Sequence, residues 1–460
     1  MSLQVIRSTK NKSLIIYESH LYRKFKQSND ILYWRCNVKG CKSYLHTDTN
    51  NVLIRATGSH IEHLANPEAT EIRVISNKIK ERVTKETTAI ARIYEDEVSN
   101  AQLSQAATSI MPTFSEAESG FHKSRLKTTP VLPTSIQFQI PPAYSSTNDN
   151  RRFLLVDKTR GNERILIFAT DEQLQLLFNS TQIFMDGTFD SCPPFFDQLY
   201  VIHGIEFGRQ FPCVFALLPR RKRNTYVKLF RYITDNATRL NTVFNPTRIM
   251  SDFESGLKAA IVAEFPNAQH NGCLFHFKQA VYRRIQNLGL STSYNSNDTI
   301  RSYCRRIMAL PFLPINVVVN TFNELQDETP LAIRKNLQPL YDYFDNYWLN
   351  TIDLEKWNVY GLEHRTNNIC EGWHNRFSQR VQKHHPHIWH FTDVLKNEEF
   401  KFRHDRIQLL AGAPMKNPRQ KTTAVQKRIT TLTHHYEAQQ LNEMEFLLAI
   451  SFALSKPKNG

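Results

Sequence analysis

Thr181-Gln-Ile-Phe-Met-Asp186-Gly-Thr-Phe189 reads as a short apolar strand, Thr181 to Met185, that ends on a carboxylate. The same arrangement recurs in Ile249-Met-Ser-Asp252, at the end of a second strand beginning at Thr247. An acid at a strand end loses hydration unless a cation or hydrogen bonds compensate, so the repetition suggests a purpose. On adjacent strands the two acids would make a hard oxygen site suited to Mg2+ or Mn2+. Taken singly, each is read equally well as an aspartate capping the next turn.

Around these strands the pattern alternates. Phe153–Val156, Arg164–Phe168, Leu199–His203 and Pro212–Leu218 are apolar and strand-like, and a helical stretch covers Thr225 to Leu240. A second helix follows from Ser255 to Phe265, then a strand around Gly272–Phe275 that runs into a helix through Arg284. Strands interleaved with helices in this order predict an α/β core. Residues 291–365 change to amphipathic, aromatic-rich segments and predict a helical insertion, after which a helix resumes near Asn367.

The whole chain of 460 residues has room for two to four domains. Hydrophobic residues at 41% and aromatics at 11% exclude a disordered tail protein, because enough apolar surface is available to offset chain entropy. No membrane-length apolar run and no secretory leader pattern is present, and seven scattered cysteines suit reduced thiols, so the expectation is a soluble intracellular protein. A net charge of +15 favours an anionic partner, nucleic acid first.

The expected organisation has six parts. Residues 1–66, with short alternating segments, form a small β-unit; 67–150 form a helical connector and a Pro/Ser/Thr-rich linker or draped segment. Residues 151–290 hold the first part of the core, 291–365 the insertion, 366–400 the final catalytic helix region, and 401–460 a basic helical C-terminal segment.

Within the β-unit, Cys36-x4-Cys41 precedes His60-x2-His63, and two tight pairs of this kind suit tetrahedral zinc. In some sixty residues the metal would substitute for a core too small to hold itself. His46 is a competing ligand. Three further features carry possible chemistry. Arg220-Arg-Lys-Arg223 could contact phosphates, act as a nuclear import signal or be a solvated turn. Cys273-x2-His276 could bind a metal, lie near DNA or simply pack. Glu371, in Thr366-Asn-Asn-Ile-Cys-Glu371, could be an acid favoured by a helix start. The histidines 384, 385, 387 and 390 read as surface or DNA-proximal rather than metal-binding, and Trp373 and Trp389 as core.

Two family resemblances follow from these residues. Tyr22, Tyr33-Trp-Arg-Cys36, Cys41 and the terminal histidines resemble a FLYWCH-type zinc finger, with the leading Phe replaced near Val5 and His60-x2-His63 in place of the usual His-x-His. Asp-Gly-Thr-Phe at Asp186, Ser-Asp-Phe-Glu at Asp252, Cys273-x2-His276 and Thr-Asn-Asn-x-x-Glu371 together resemble the core of MULE (Mutator-like element) transposases over roughly 150–400. That resemblance implies an RNase H-like α/β fold interrupted by an all-helical insertion, behind a small β-rich zinc-binding module. It further implies Asp186, Asp252 and Glu371 as a DDE triad binding Mg2+ or Mn2+ for DNA cleavage and strand transfer at transposon ends. Zinc in the finger, double-stranded DNA of transposon ends and target, self-association on DNA and a nuclear location complete the expectation. The alternative is a domesticated, transposase-derived DNA-binding regulator that no longer cuts.

Overall fold

The computed structural model describes residues 3–8, 12–61, 63–86, 88–414 and 420–454, and divides the chain into two compact units, Met1–Leu132 and Pro133–Gly460.

The first unit opens with six strands: β1 (Gln4–Arg7), β2 (Ser13–Tyr17), β3 (His20–Ser28), β4 (Ile31–Cys36), β5 (Tyr44–Asp48) and β6 (Leu53–Thr57). They form an antiparallel meander in sequence order. Its core is small, built on Ile15, Tyr22, Trp34 and Leu45, and the Trp34 indole N–H is satisfied by Thr47 Oγ1 at 3.0 Å. Four helices follow: α1 (Pro67–Lys85), α2 (Ile90–Asn100), α3 (Gln105–Ile110) and α4 (Phe114–Arg125). Ile75, Ile79, Val83, Ile90, Ile93 and Phe121 give them a core of their own. The polar composition after Ala101, which reads as a linker, instead supplies helix caps. Ser104 accepts from the Ala107 amide, and Thr113 with Glu116 closes a capping box on α4.

The second unit begins with an extended stretch containing one short helical turn, α5 (Pro142–Ser145). Arg164 holds this stretch by donating to the carbonyls of Ile136 and Phe138, while Phe138 and Tyr144 pack on Trp389. A seven-stranded mixed sheet follows, made of β7 (Leu154–Arg160), β8 (Glu163–Phe168), β9 (Gln182–Thr188), β10 (Gln198–Glu206), β11 (Arg209–Leu218), β12 (Arg248–Ser251) and β13 (Gln269–Gly272). The spatial order is β13-β12-β9-β10-β11-β8-β7; β12 runs parallel to both β9 and β13, and the other pairs are antiparallel. Helices α6 (Asp171–Asn179), α7 (Arg223–Arg239) and α8 (Ser255–Glu264) bury one face of the sheet. α9 (Leu274–Asn287) leaves the end of β13.

Two elements differ from the sequence reading. The last strand lies at Gln269–Gly272 rather than around Gly272–Phe275, because its polar backbone pairs with β12 residue for residue from Arg248 to Ser251 and Cys273 already caps α9. α6 escapes the strand-dominated pattern, although Thr170 and Gln173 form a capping box at its start.

The insertion comprises α10 (Ser291–Ser296), α11 (Asp298–Ala309), α12 (Val318–Glu328), α13 (Leu331–Tyr343), a π turn at Phe344–Leu349 and α14 (Leu354–Trp357). Phe277, Phe344, Trp348 and Trp357 meet at its centre, Phe277 stacked on Trp357 and the other pairs edge to face. The chain then returns to the sheet through α15 (Asn368–Val381) and α16 (Ile388–Leu410), whose Trp373, Phe377, Trp389 and Phe391 cover the second sheet face. α17 (Gln420–Glu437) and α18 (Glu443–Ala453) do not stand apart as a C-terminal segment. Ile429, Phe446, Leu447 and Ile450 are buried in the insertion core, so residues far beyond 365 complete it.

Ile450 is fully buried there, and Ile450→Ala is expected to destabilise the second unit by about 2–5 kcal/mol. Urea denaturation followed by tryptophan fluorescence measures the shift.

Candidate active site and zinc centre

Neighbouring parallel strands place the first two acids. The pairing of Ile249 with Ile183 and Met250 with Phe184 sets the register of β12 on β9, and two residues further along lie Asp252 and Asp186. Strands about 4.8 Å apart put these positions side by side at one sheet end. Phe253, next to Asp252, lies over Gly272 so closely that a Cβ there would meet its ring at 2.2 Å. Only glycine admits this contact, which holds down the turn carrying Asp252.

Glu371 reaches the same place from the first turn of α15. The fully buried Asn367 docks that helix: its Nδ2 donates to the Met185 carbonyl at 3.0 Å, one peptide before Asp186, and its backbone N–H donates to Cys273 Sγ at 3.2 Å. The Leu274 amide donates to the Arg365 carbonyl at 2.9 Å and ties the start of α9 to the same turn. Beneath the acids Phe184, Met250 and Cys370 form a small apolar cluster, one from each element that carries an acid.

The electrostatics follow from burial without a cation. Asp186 is only 6% exposed, and burial, with the charges of Asp252 and Glu371 adding to it, pushes its carboxyl up to about 8. Burial also raises Asp252, opposed by His276 and Arg221, and raises Glu371. Glu254, two residues on, is pushed up to about 7 by burial and by Asp252. Glu371 Oε1 and Glu254 Oε1 are buried with no hydrogen-bond partner. Asp186 Oδ1 accepts from the Gly187 amide at 3.0 Å and Asp252 Oδ1 from the Glu254 amide at 3.4 Å, so it is the unpartnered, desolvated oxygens, Glu371 Oε1 among them, that a hard divalent cation such as Mg2+ or Mn2+ would satisfy.

His374 was not among the sequence-level candidates. It lies one turn beyond Glu371 on the same helix face, and its Nδ1 is 3.4 Å from Asp186 Oδ2. Burial, with His276 nearby, pushes its imidazole down to about 4, so the ring is neutral at physiological pH. The i, i+3 spacing from Glu371 is the signal that could have found it.

The second cluster lies in the first unit. Cys36 ends β4, Cys41 follows its turn, and His60 and His63 come from the segment after β6. Cys36 Sγ is 3.4 Å from His63 Nε2, Cys41 Sγ is 3.4 Å from His60 Nδ1, and the two ring nitrogens are 3.1 Å apart. Tetrahedral zinc, with bonds of about 2.0–2.3 Å, separates its donors by about 3.3–3.8 Å, so the two sulfur–nitrogen pairs match the ion and the ring nitrogens would need to part only slightly to admit it. His46 stands outside the cluster, its ring against Tyr33 on the sheet. Tyr22 Oη, 2.8 Å from His60 Nε2, orients that ring, and His20 stacks on it at 3.5 Å.

Residues 182–280 match the family model of the MULE transposase domain, and residues 5–61 that of the FLYWCH zinc finger domain. The chain carries a MULE transposase domain behind a FLYWCH zinc finger. No curated protein matches it. The MULE match spans Asp186, Asp252, Cys273 and His276, while Glu371 lies beyond it and is brought in by α15. The FLYWCH match stops before His63, whose ring nevertheless completes the Cys/His group.

Other candidates in the MULE unit separate by environment. Cys273, His276 and Glu371 present ligand atoms within 4.8 Å of one another. In the loop before α7, Arg220 pairs with Glu163 at 2.6 Å and Arg221 with Asp197 at 3.1 Å, while Lys222 and Arg223 are exposed. Arg221 also lies over the Phe189 ring and is close enough to lower Asp252, so the loop borders the acid site. In the histidine run His384 is exposed, and the other three make structural contacts. His385 binds the backbone of Asp190 and Cys192, His387 caps α16, and His390 contacts the Val381 carbonyl. Among the described residues no helix is long and apolar enough to cross a membrane.

Two outcomes are expected. Purified chain holds one zinc at the finger, and Cys41→Ser removes it and lowers the melting temperature of the first unit, read by metal analysis and calorimetry. Asp186 titrates near 3.8 when unfolded and near 8 when folded, so the stability its proton contributes is present at low pH and lost as pH rises toward 8. In magnesium-free buffer at pH 9, Asp186→Asn therefore stabilises the chain by about 2–5 kcal/mol relative to wild type, and added Mg2+ stabilises only wild type. Thermal melts across pH check both signs.

Proposed function

We propose that this chain is a DDE-type transposase that cuts double-stranded DNA at transposon ends and joins the freed strand to target DNA. The observation that carries the reading is the convergence of Asp186, Asp252 and Glu371 from two parallel strands and a helix separated by a whole insertion. Three antiparallel strands, β9 to β11, followed by β12 and β13 added in parallel on the other side of β9, support an RNase H-like core.

In this reading the three carboxylates hold Mg2+ or Mn2+, which supplies a polarised phosphate and an activated attacking oxygen. The chain supplies the rest. Asn367 locks the angle at which Glu371 faces the strands, and the Phe184, Met250 and Cys370 cluster closes the site from below. His374, neutral beside Asp186, holds that carboxylate's outer oxygen in place. Arg221 neutralises charge at the rim, and exposed Lys222 and Arg223 meet the DNA backbone or serve nuclear import. The finger, with ten lysines and arginines against four acids in residues 1–66, holds DNA. Pairing two DNA ends implies self-association on DNA, and DNA as substrate places the protein in the nucleus.

The decisive experiment is nicking and strand transfer on DNA bearing the terminal repeats that flank the coding region. Wild type is expected to cut with Mg2+ or Mn2+, and Asp186→Asn, Asp252→Asn and Glu371→Gln to bind the same DNA without cutting. If wild type and Asp186→Asn both bind and neither cuts, the chain is a DNA-binding regulator derived from a transposase.

A further inference from the structure

A second ligand set lies against the triad and differs from it in chemical hardness. Cys273 is the N-cap of α9, and His276 follows three residues later, so both face the same way from the start of one helix. Glu371 faces them from the start of α15. The two helix starts are tied by the Asn367 amide on Cys273 Sγ at 3.2 Å and by the Leu274 amide on the Arg365 carbonyl at 2.9 Å. One thiol, one imidazole and one carboxylate thus come within 4.8 Å of one another, the same limit that encloses the four ligands of the finger.

Packing does not account for all three. His276 Nδ1 and Glu371 Oε1 are buried without a hydrogen-bond partner, a deficit that apolar neighbours leave in place and a cation removes. The Asn367 N–H aimed at Cys273 Sγ is the kind of outer contact that stabilises a sulfur carrying negative charge. Sulfur with nitrogen and a single carboxylate selects zinc-like cations over Mg2+, which prefers oxygen alone. Three protein ligands also leave a fourth tetrahedral position open.

We propose that Cys273, His276 and Glu371 bind a thiophilic divalent cation of the zinc class at a site distinct from the hard-ion position beside Asp186 and Asp252. Glu371 belongs to both sets, so filling the soft site withdraws it from the triad and lowers magnesium-dependent cleavage. On binding, Sγ forms a bond to the cation and the thiol proton passes to solvent. The inhibitory part rests on the transposase reading, whereas the binding part does not.

The test uses the full chain dialysed against micromolar zinc. Wild type is expected to retain two equivalents, and Cys273→Ser and His276→Asn one each, held by the finger. With cobalt in place of zinc, thiolate-to-metal charge transfer falls by about a third in Cys273→Ser, three thiolates becoming two. Circular dichroism confirms that each variant is folded. One equivalent in wild type, or two in both folded variants, overturns the site. In a magnesium nicking assay, zinc inhibits wild type and leaves the Cys273→Ser rate, relative to its own zinc-free value, unaltered; equal inhibition of both overturns the coupling through Glu371. A chain that binds the second equivalent yet never cuts DNA keeps the soft site and loses the transposase reading.

Discussion

The Asn367 side-chain amide on the Met185 carbonyl is the contact on which the placement of the candidate acids depends. It joins the start of α15 to β9 one peptide before Asp186, across 182 positions of sequence. Without it Glu371 would sit on a helix free to slide over an apolar surface, since packing alone is non-directional. A buried amide left without its acceptor would itself cost about 1–3 kcal/mol, so the sheet and the helix hold each other in one register. The Asn367 backbone N–H on Cys273 brings α9 into the same junction.

From that junction the electrostatics follow. With Asp252 and Glu371 nearby and a neutral histidine beside it, the buried Asp186 is held largely protonated at neutral pH in the free protein. A divalent ion bound there would relieve this unfavourable burial. The zinc finger uses the opposite strategy in the first unit, where thiols and imidazoles meet on turns beside a core of only a few large side chains. Hard and soft ligand chemistry are therefore separated between the units, except at Cys273 and His276, where soft donors stand beside the hard site.

Much of this was legible in the chain. Continuous apolar runs located the main strands because the central ones are buried on both faces, and the acids stood out because they follow such runs. The Cys36, Cys41, His60 and His63 spacing was enough to pick out the four residues that the fold groups as a possible metal site, while setting His46 apart required seeing its ring against Tyr33. His374 passed unnoticed because its i, i+3 spacing from Glu371 is a faint signal until Asp186 is seen facing it. The helices after Ala101 were hidden by serines and threonines, which mark loops and helix caps alike.

The sequence by itself determined which residues are candidates for chemistry, since ligand type and local spacing are properties of the chain. It determined the α/β order for the same reason: strand and helix periods are local. Only the tertiary structure decided that α18 belongs to the insertion core, that β13 ends before Cys273, and that Glu371 stands near Asp186 as well as beside Cys273 and His276. Each of these depends on contacts between residues far apart in sequence, where burial and directional hydrogen bonds select one partner among many of equal local propensity.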